Sequence, residues 1–382
     1  MNLVALGDIA NFSQGLQIPI PDQKKDKFPG SQLFLRIINY TQKSTDFRYV
    51  SEQKERYIIE ASDIIMVRYG AVGYVGRGLS GILANNMFKI DFNERIVDGD
   101  YLYRSLKSDY VQIQLLNGSQ STSMAAINFK SVAKVKLPLP PLEEQKKIAA
   151  ILDAADEYRR KTKSLIAKYD ELTQSLFLDM FGELEGDKVS LSSICEVNPK
   201  KSQISSLDRT LKVSFVPMTN VSEEGGLSLV EERTIDEVWS GFTYFQENDV
   251  VFAKITPCME NGKGTIMRGL KNEIGFGTTE FHVLRPTNEV SCSEYLFYLT
   301  HSSHFRVLAE LNMKGSAGQK RVPKDFFDRY KVVAPSIALQ NQFAERVRAV
   351  EAQKVQAQAS LVQAEDLFSS LLQRAFKGEL IN

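Results

Sequence analysis

The sequence predicts an α+β fold with an internal repeat: two globular mixed α/β domains separated by two long helices that pair as an antiparallel coiled coil, related by a pseudo-two-fold. Three observations predict it. Short motifs recur in the same order at a near-constant separation. Short β-rich runs bounded by Gly, Asn and Asp fill the first part of each repeat. Each repeat then ends in a stretch free of Pro and Gly that carries an unbroken heptad seam.

The repeat is weak at any one place but sustained. Leu6-Gly7-Asp8-Ile9 matches Leu191-Ser192-Ser193-Ile194. Asp63–Arg68 matches Asp249–Lys254, Met87–Ile90 matches Glu280–Val283, and Tyr101-Leu102-Tyr103 matches Tyr295-Leu296-Phe297. Leu142-Glu143-Glu144-Gln145 matches Ile337-Ala338-Leu339-Gln340. The offset grows from 185 to 195, far longer than a solenoid repeat, so a whole domain with its connector is duplicated.

Within each unit, Phe34–Asn39, Asp63–Arg68 and Met87–Asp91 read as strands, and so do Phe215–Asn220, Asp249–Ile255 and Glu280–Leu284. Tyr101–Leu116 and Ser293–Leu311 read as single helices. Linkers with proline follow, Leu137-Pro138-Leu139-Pro140-Pro141 and Val332-Val333-Ala334-Pro335, suited to the turn before a helix start. The boundaries drawn from these signals are 1–138 and 183–335 for the globular domains, and 139–182 and 336–382 for the helices.

The first seam runs Ile148, Leu152, Ala155, Arg159, Thr162, Ile166, Tyr169, Thr173, Leu176, Met180. The second runs Phe343, Val347, Val350, Lys354, Ala357, Leu361, Ala364, Phe368, Leu371, Ala375. Both alternate steps of four and three, and Gly182 and Gly378 read as terminators. A seam this long needs a partner, and the equivalent helix in the chain is its own duplicate. The basic residues at the fourth place, Arg159 and Lys354, either fix the register of the seam or run their long stems out to solvent near the end of the contact.

Composition fits a soluble globular protein, with 43% hydrophobic and 25% charged residues. No apolar run approaches a membrane span and no secretory signal is visible at the N-terminus. Cys195, Cys258 and Cys292 are odd in number and widely spaced, which suits free thiols, so the expected location is the cytoplasm. Net charge is zero, with a surplus of +4 in residues 1–138 and −3 in residues 183–335. A free-standing DNA binder usually carries a basic surplus, so nucleic-acid contact requires local patches and a partner that supplies phosphate attraction.

No catalytic constellation appears. There is no GxxxxGK[ST] loop, and the Gly-rich runs Gly70–Gly78 and Gly262-Lys263-Gly264 read as turns. Asn198-Pro199-Lys200 lacks the second Pro and the aromatic of the adenine-methyltransferase motif. His301 and His304 read as ordinary helix surface, with no Cys or carboxylate at metal-ligand spacing. Neither a metal nor a cofactor is therefore expected on this chain.

Polar and basic residues gather instead in matched loops. Arg68-Tyr69 with Arg77 corresponds to Lys254 and Thr256 with Asn261 and Lys263. Asn39-Tyr40 corresponds to Thr219-Asn220. The run containing Gln120, Ser121 and Ser123 corresponds to the run containing Lys314, Ser316, Gln319, Lys320 and Arg321. Arg and Lys suit guanine O6/N7, Asn and Gln the adenine N6/N7 edge, and hydroxyls suit phosphates. Recurrence at matched places with different side chains predicts two readers of unlike sequence.

The passage Leu137–Ile148 resembles the opening of the central conserved region of type I restriction-modification specificity subunits. Lys254–Gly264 and Gly275–Phe281 resemble passages common in their target recognition domains. The resemblance covers essentially the whole chain. It departs in the second unit, where Pro335-Ser336 stands for Pro140-Pro141 and Ala338-Leu339 for Glu143-Glu144. It implies a non-catalytic DNA reader for a bipartite, asymmetric site, with the helix pair setting the spacing between half-sites. It also implies a complex with double-stranded DNA, two methyltransferase subunits carrying S-adenosylmethionine, and two restriction-translocase subunits using ATP and Mg. A type IIB-like or phage-defence assembly of the same architecture, and a coiled-coil scaffold that binds protein alone, remain as alternatives.

Overall fold

The computed structural model describes residues 2–117, 126–229, 231–316 and 318–380. The chain divides into two compact units, Met1–Lys163 with Ala359–Asn382, and Ser164–Gln358.

In the first unit a mixed sheet runs in the order Arg48–Ser51, Ser31–Leu35, Gly81–Leu83, Ile58–Ile59, with the central pair parallel. An antiparallel sheet runs Ala10–Gln14, Met87–Phe92, Ile64–Val67, Val75–Gly76. Leu3–Ala5 pairs with Lys136–Pro138 where the chain enters and leaves the domain. The second unit repeats this strand for strand. Its mixed sheet is Glu231–Thr234, Lys212–Val216, Ile274–Gly277, Thr243–Gln246, again with a parallel central pair. Its antiparallel sheet is Cys195–Val197, Phe281–Pro286, Val250–Ala253, Gly264–Ile266, and Lys188–Ser190 pairs with Lys331–Val333.

The unbroken apolar runs in this chain have a geometric cause. Successive side chains of a strand point to opposite faces. Ile64 and Met66 enter one core with Leu102, Leu106 and Val111 of the following helices, while Ile65 and Val67 enter another with Phe34, Leu35 and Ile82 of the mixed sheet. Val250 and Phe252 part from Val251 in the same way. A strand covered on both faces reads as continuous hydrophobicity rather than alternation.

Two sequence expectations are corrected. Each segment read as one helix is two: Gly99–Leu106 with Asp109–Asn117, and Ser293–His301 with Ser303–Leu311. Ser302 makes the second break, its hydroxyl accepting from the Phe305 N–H at 3.2 Å and starting a new helix. The strand read as Phe34–Asn39 ends at Leu35. The chain then turns into the short helix Ile37–Thr41, which the Asn39 carboxamide caps by accepting from Arg36 N at 2.9 Å.

The long helices are Leu142–Phe181 and Ile337–Lys377. Every residue of both seams is buried or half-buried, interleaved with exposed ones. They run antiparallel. In the first unit, Ile148, Ala149 and Leu152 pack against Ala375 and Phe376, and in the second, Phe177 and Phe181 pack against Phe343. The expectation that the basic seam residues run out to solvent is overturned for Lys354. Lys354 is 8% exposed and donates to the Asp170 carboxylate of the facing helix at 2.5 Å. Arg159 lies over the Phe368 ring at 4.7 Å and donates to Asp156 at 2.6 Å. Gly378 closes the second helix at a φ of +80°, where a side chain is strained.

Each helix is pinned to its own domain by a fully buried glutamine. The Gln145 carboxamide accepts from Asp98 N at 2.8 Å and donates to the carbonyls of Ile96 at 2.9 Å and Pro140 at 2.8 Å. Gln340 repeats this with Cys292 N at 3.0 Å and the carbonyls of Val290 and Pro335, both at 2.9 Å. Each domain also receives the far end of the other helix. Tyr101 packs on Phe376 at 5.5 Å between ring centres, and Tyr295 on Phe181 at 5.1 Å. The charged contacts beside these are reversed in sign. Arg104 of the first domain donates to helix residues Asp153 and Asp156, at 2.6 and 3.0 Å, whereas Glu294 of the second domain accepts from helix residue Arg348 at 2.7 Å.

Candidate nucleic-acid interface

The loop leaving the central antiparallel strand has the same backbone frame in both units. Arg68 N donates to Asn86 O and Lys254 N to Glu280 O, both at 2.8 Å. Arg68 O accepts from Ile127 N and Lys254 O from Val322 N, both at 2.9 Å. Arg68 and Lys254 are matched in the sequence repeat, whereas the frame makes Asn86 equivalent to Glu280, one residue off the Met87–Glu280 match read from sequence; different side chains are presented from one scaffold.

In the second unit the frame gathers Lys254, Thr256, Lys314, Gln319, Lys320 and Arg321. Arg321 sits between two partners: its N and O pair with Lys314 at 2.9 Å, and an adjacent bridge joins it to Ile255. Its guanidinium grips the Glu280 carboxylate through Nε at 2.8 Å and Nη2 at 2.7 Å. Arg321 holds the Glu280 carboxyl below its usual range, while burial pushes the ammonium of half-buried Lys254 down from its ordinary value. Thr256 is turned inward, its hydroxyl donating to Glu260 at 2.6 Å. Lys314, Ser316, Gln319 and Lys320 are exposed.

Thr219, Asn220, Asn261 and Lys263 are not tied to this ribbon by hydrogen bonds. Asn220 donates to Ser228 O and Asn261 to the Glu223 carboxylate, both at 2.9 Å. Glu223 lines a 680 Å³ cavity together with Arg268, Glu294, Phe297, His301 and Arg306 among others. His301 and His304 do not form a surface pair: they lie on different helices, and His301 stacks on Phe297 at 5.0 Å with its pKa pushed down to about 4 by burial.

In the first unit Tyr69 is exposed and heads a chain of polar contacts, donating to Asn85 Oδ1 at 3.3 Å, while Asn85 Nδ2 donates to Gln17 Oε1 at 3.2 Å. Arg68 is half-buried, over the Phe129 ring at 5.3 Å, with Nε donating to Ile127 O at 3.3 Å. Two sequence candidates face inward. Asn39 caps its helix and is 5% exposed; Tyr40 is 6% exposed, and burial raises its phenol pKa. Arg77 is paired with Asp100 and stacked on Tyr103 at 4.3 Å, beside the helix start. Gln120, Ser121 and Ser123 lie outside the described residues.

Sequence reading passed over Arg36, Asn85 and Glu280. Arg36 and Arg48 both grip Asp46, and Arg36 borders an open pocket with Gln17, Gln23, Asn85 and Asn86. No local motif flags these residues. The one signal available is that Asn86 and Glu280 immediately precede matched strands.

Among the described residues no group of three or more His, Cys, Asp or Glu is placed to hold a metal ion, and no helix is long and apolar enough to cross a membrane. The three cysteines are free, and burial raises the Cys195 thiol to about 12.

Two domains of one topology, each presenting loop side chains from a shared backbone frame, together with paired antiparallel helices, define an internally duplicated protein. The chain belongs to the type I restriction modification DNA specificity domain family, which matches residues 1–169 and 184–361. It is 42% identical over 148 residues to the EcoEI specificity subunit and 41% identical over 154 residues to the EcoAI specificity subunit, both type I restriction enzyme subunits of Escherichia coli. Those stretches cover 38% and 40% of this chain, and only 24% and 26% of the two relatives' own length. The MjaVIII specificity subunit of Methanocaldococcus jannaschii is 22% identical, over 91% of this chain and 85% of its own. The fold is shared with the type I restriction-modification S subunit from M. genitalium, at a TM-score of 0.56, 14% identity, and coverage of 98% of this chain and 96% of that one. It is also shared with a chain from a type I R-M system solved for its complex assembly and conformational transition, at 0.59, 16% identity, 99% and 98%.

Proposed function

We propose that this chain is the DNA sequence-specificity subunit of a type I restriction-modification complex, itself without catalytic activity. One observation carries the reading: the two domains repeat one backbone frame, with different side chains at equivalent loop positions. At equivalent places Arg68 stands for Lys254 and Asn86 for Glu280. Each domain reads one half of a bipartite, asymmetric site in double-stranded DNA. The exposed loop residues supply the contacts, and the paired helices set the spacing and dock two methyltransferase subunits. Those subunits hold S-adenosylmethionine, and two restriction-translocase subunits bring ATP and Mg; the complex works in the cytoplasm. Zero net charge supports a reading in which partner subunits supply much of the phosphate attraction.

The test is co-expression with the cognate methyltransferase subunits, followed by gel shift on duplex DNA and sequencing of methylated adenines. A two-part motif with a fixed spacer is expected. Binding to protein partners with no sequence-dependent shift would favour the scaffold reading. Four residues added to each long helix lengthen it by about 6 Å, close to two base pairs at about 3.4 Å each. An unchanged spacer in that variant removes the spacing role.

A further inference from the structure

The loop ribbon of the second domain holds one arginine in a manner shared by no other predicted reader among the described residues. We infer that Arg321, positioned by Glu280, reads a guanine in the half-site of the second domain. This rests on the DNA-reading function proposed above and names the base that this part of the site takes.

Three observations support it. First, the backbone of Arg321 is fixed on both sides, paired with Lys314 through N and O at 2.9 Å and flanked by Thr256 N donating to Lys320 O at 3.0 Å. Second, the guanidinium is oriented. Glu280 takes Nε and Nη2 together, and Gln319 O accepts from Nη1 at 3.0 Å. Glu280 is itself anchored at the start of a core strand, its carbonyl accepting from Lys254 N at 2.8 Å and its N–H donating to Thr278 Oγ1 at 3.2 Å. Third, a guanidinium has five donors. Three are engaged, which leaves one proton on each of Nη1 and Nη2, while the side chain is 40% exposed. Two donors on adjacent nitrogens of a planar group match the O6 and N7 acceptors that guanine presents in the major groove. Holding them in place beforehand removes the ordering cost of a free arginine.

The other arginines differ. Arg68 has its Nε turned back onto Ile127 O, and Arg77 is closed onto Asp100. In the backbone frame the first-domain counterpart of Glu280 is Asn86, which carries no charge to grip an arginine. The prediction is therefore specific to one half-site.

The experiment uses the chain with its methyltransferase subunits and sequences methylated adenines genome-wide, beside melting curves for each variant. The unaltered complex should show a guanine in one half-site. Arg321→Ala should relax preference at that one base pair by roughly 5- to 150-fold, leaving the other half-site unchanged. Arg321→Gln, which keeps a polar side chain of similar reach, should lose the guanine preference too. Glu280→Gln should relax the same base pair while the melting curve stays that of the unaltered complex, which a merely structural carboxylate would not do. An Arg321→Ala motif identical to the original would overturn the inference. So would methylation that falls evenly at all sites, the mark of a phosphate contact, or relaxation at an A·T pair. If the unaltered complex methylates no defined motif, the function proposed above fails, and this inference fails with it.

Discussion

Substitution of Gln340 by leucine isolates the joint between a domain and its helix. The side chain is fully buried and serves three backbone groups: Cys292 N, Val290 O and Pro335 O. Leucine has nearly the same volume, so little cavity forms and the loss is almost wholly polar. A buried backbone group left unsatisfied costs about 1–3 kcal/mol, so three groups set a ceiling near 9 kcal/mol. Local relaxation and water entry at the Pro335 end reduce that, and a loss of about 3 kcal/mol is expected for the second unit. The duplicate Gln145→Leu should cost a similar amount in the first unit through Asp98 N, Ile96 O and Pro140 O. The assay is hydrogen exchange on the full chain, read at the amides of Cys292 and Asp98, alongside denaturant unfolding. Gln340→Leu should deprotect Cys292 and leave Asp98 unchanged, and Gln145→Leu the reverse. A cost under about 1 kcal/mol with both amides still protected would refute the reasoning, because it would mean that these groups find other partners.

Lys354→Met should be neutral or stabilising by about 1 kcal/mol, because a desolvated ion pair replaced by an apolar side chain of similar length often gains. Asp170→Ala should cost about 1–2 kcal/mol, since it strands the buried ammonium while Asp170 itself is 40% exposed and partly screened; urea unfolding of both variants checks the ordering. Stability should fall on acidification from about pH 6.5 towards 4. Burial pushes both His282 and His301 down to about 4, so over that window the unfolded chain binds protons that the folded chain does not. The His282 part is on the order of 3 kcal/mol. His282→Phe, the residue that strand register places at the equivalent Phe88, should flatten that limb without abolishing it, and an unchanged slope would remove His282 as its source. Glu294→Gln should weaken the second unit at neutral pH: burial alone would raise this carboxyl, yet the hydrogen bond from Arg348 and the nearby Arg268 charge hold it below its ordinary range, so its contribution disappears as pH falls through the carboxylate range. Equal acid limbs for variant and original would contradict this.

Much of the fold was legible because its signals are periodic. The seams from Ile148 to Met180 and from Phe343 to Ala375 follow the spacing of four and three that any paired helix must present, and burial follows that spacing at every position. The candidate site was less legible. Asn39 and Tyr40 have the composition of base readers, yet one caps a helix and the other is buried. Composition alone does not distinguish an outward carboxamide from one turned back on its own turn. Nothing local to Glu280 marks it as part of the site. It acquires a role only when the strand beginning at Phe281 places it beside a ribbon 41 residues later in the chain.

The sequence by itself determined the duplication and the helix seams, because local periodicity and repeated motifs encode them without reference to distant residues. Tertiary structure decided the rest. It set which polar side chains face outward, how Lys354 is neutralised, the opposite charge sense of the Arg104 and Glu294 contacts, and the pairing of Arg321 with Glu280. These depend on groups far apart in the chain, brought within 3 Å by two packed sheets and a helix pair, and no local pattern records such distances.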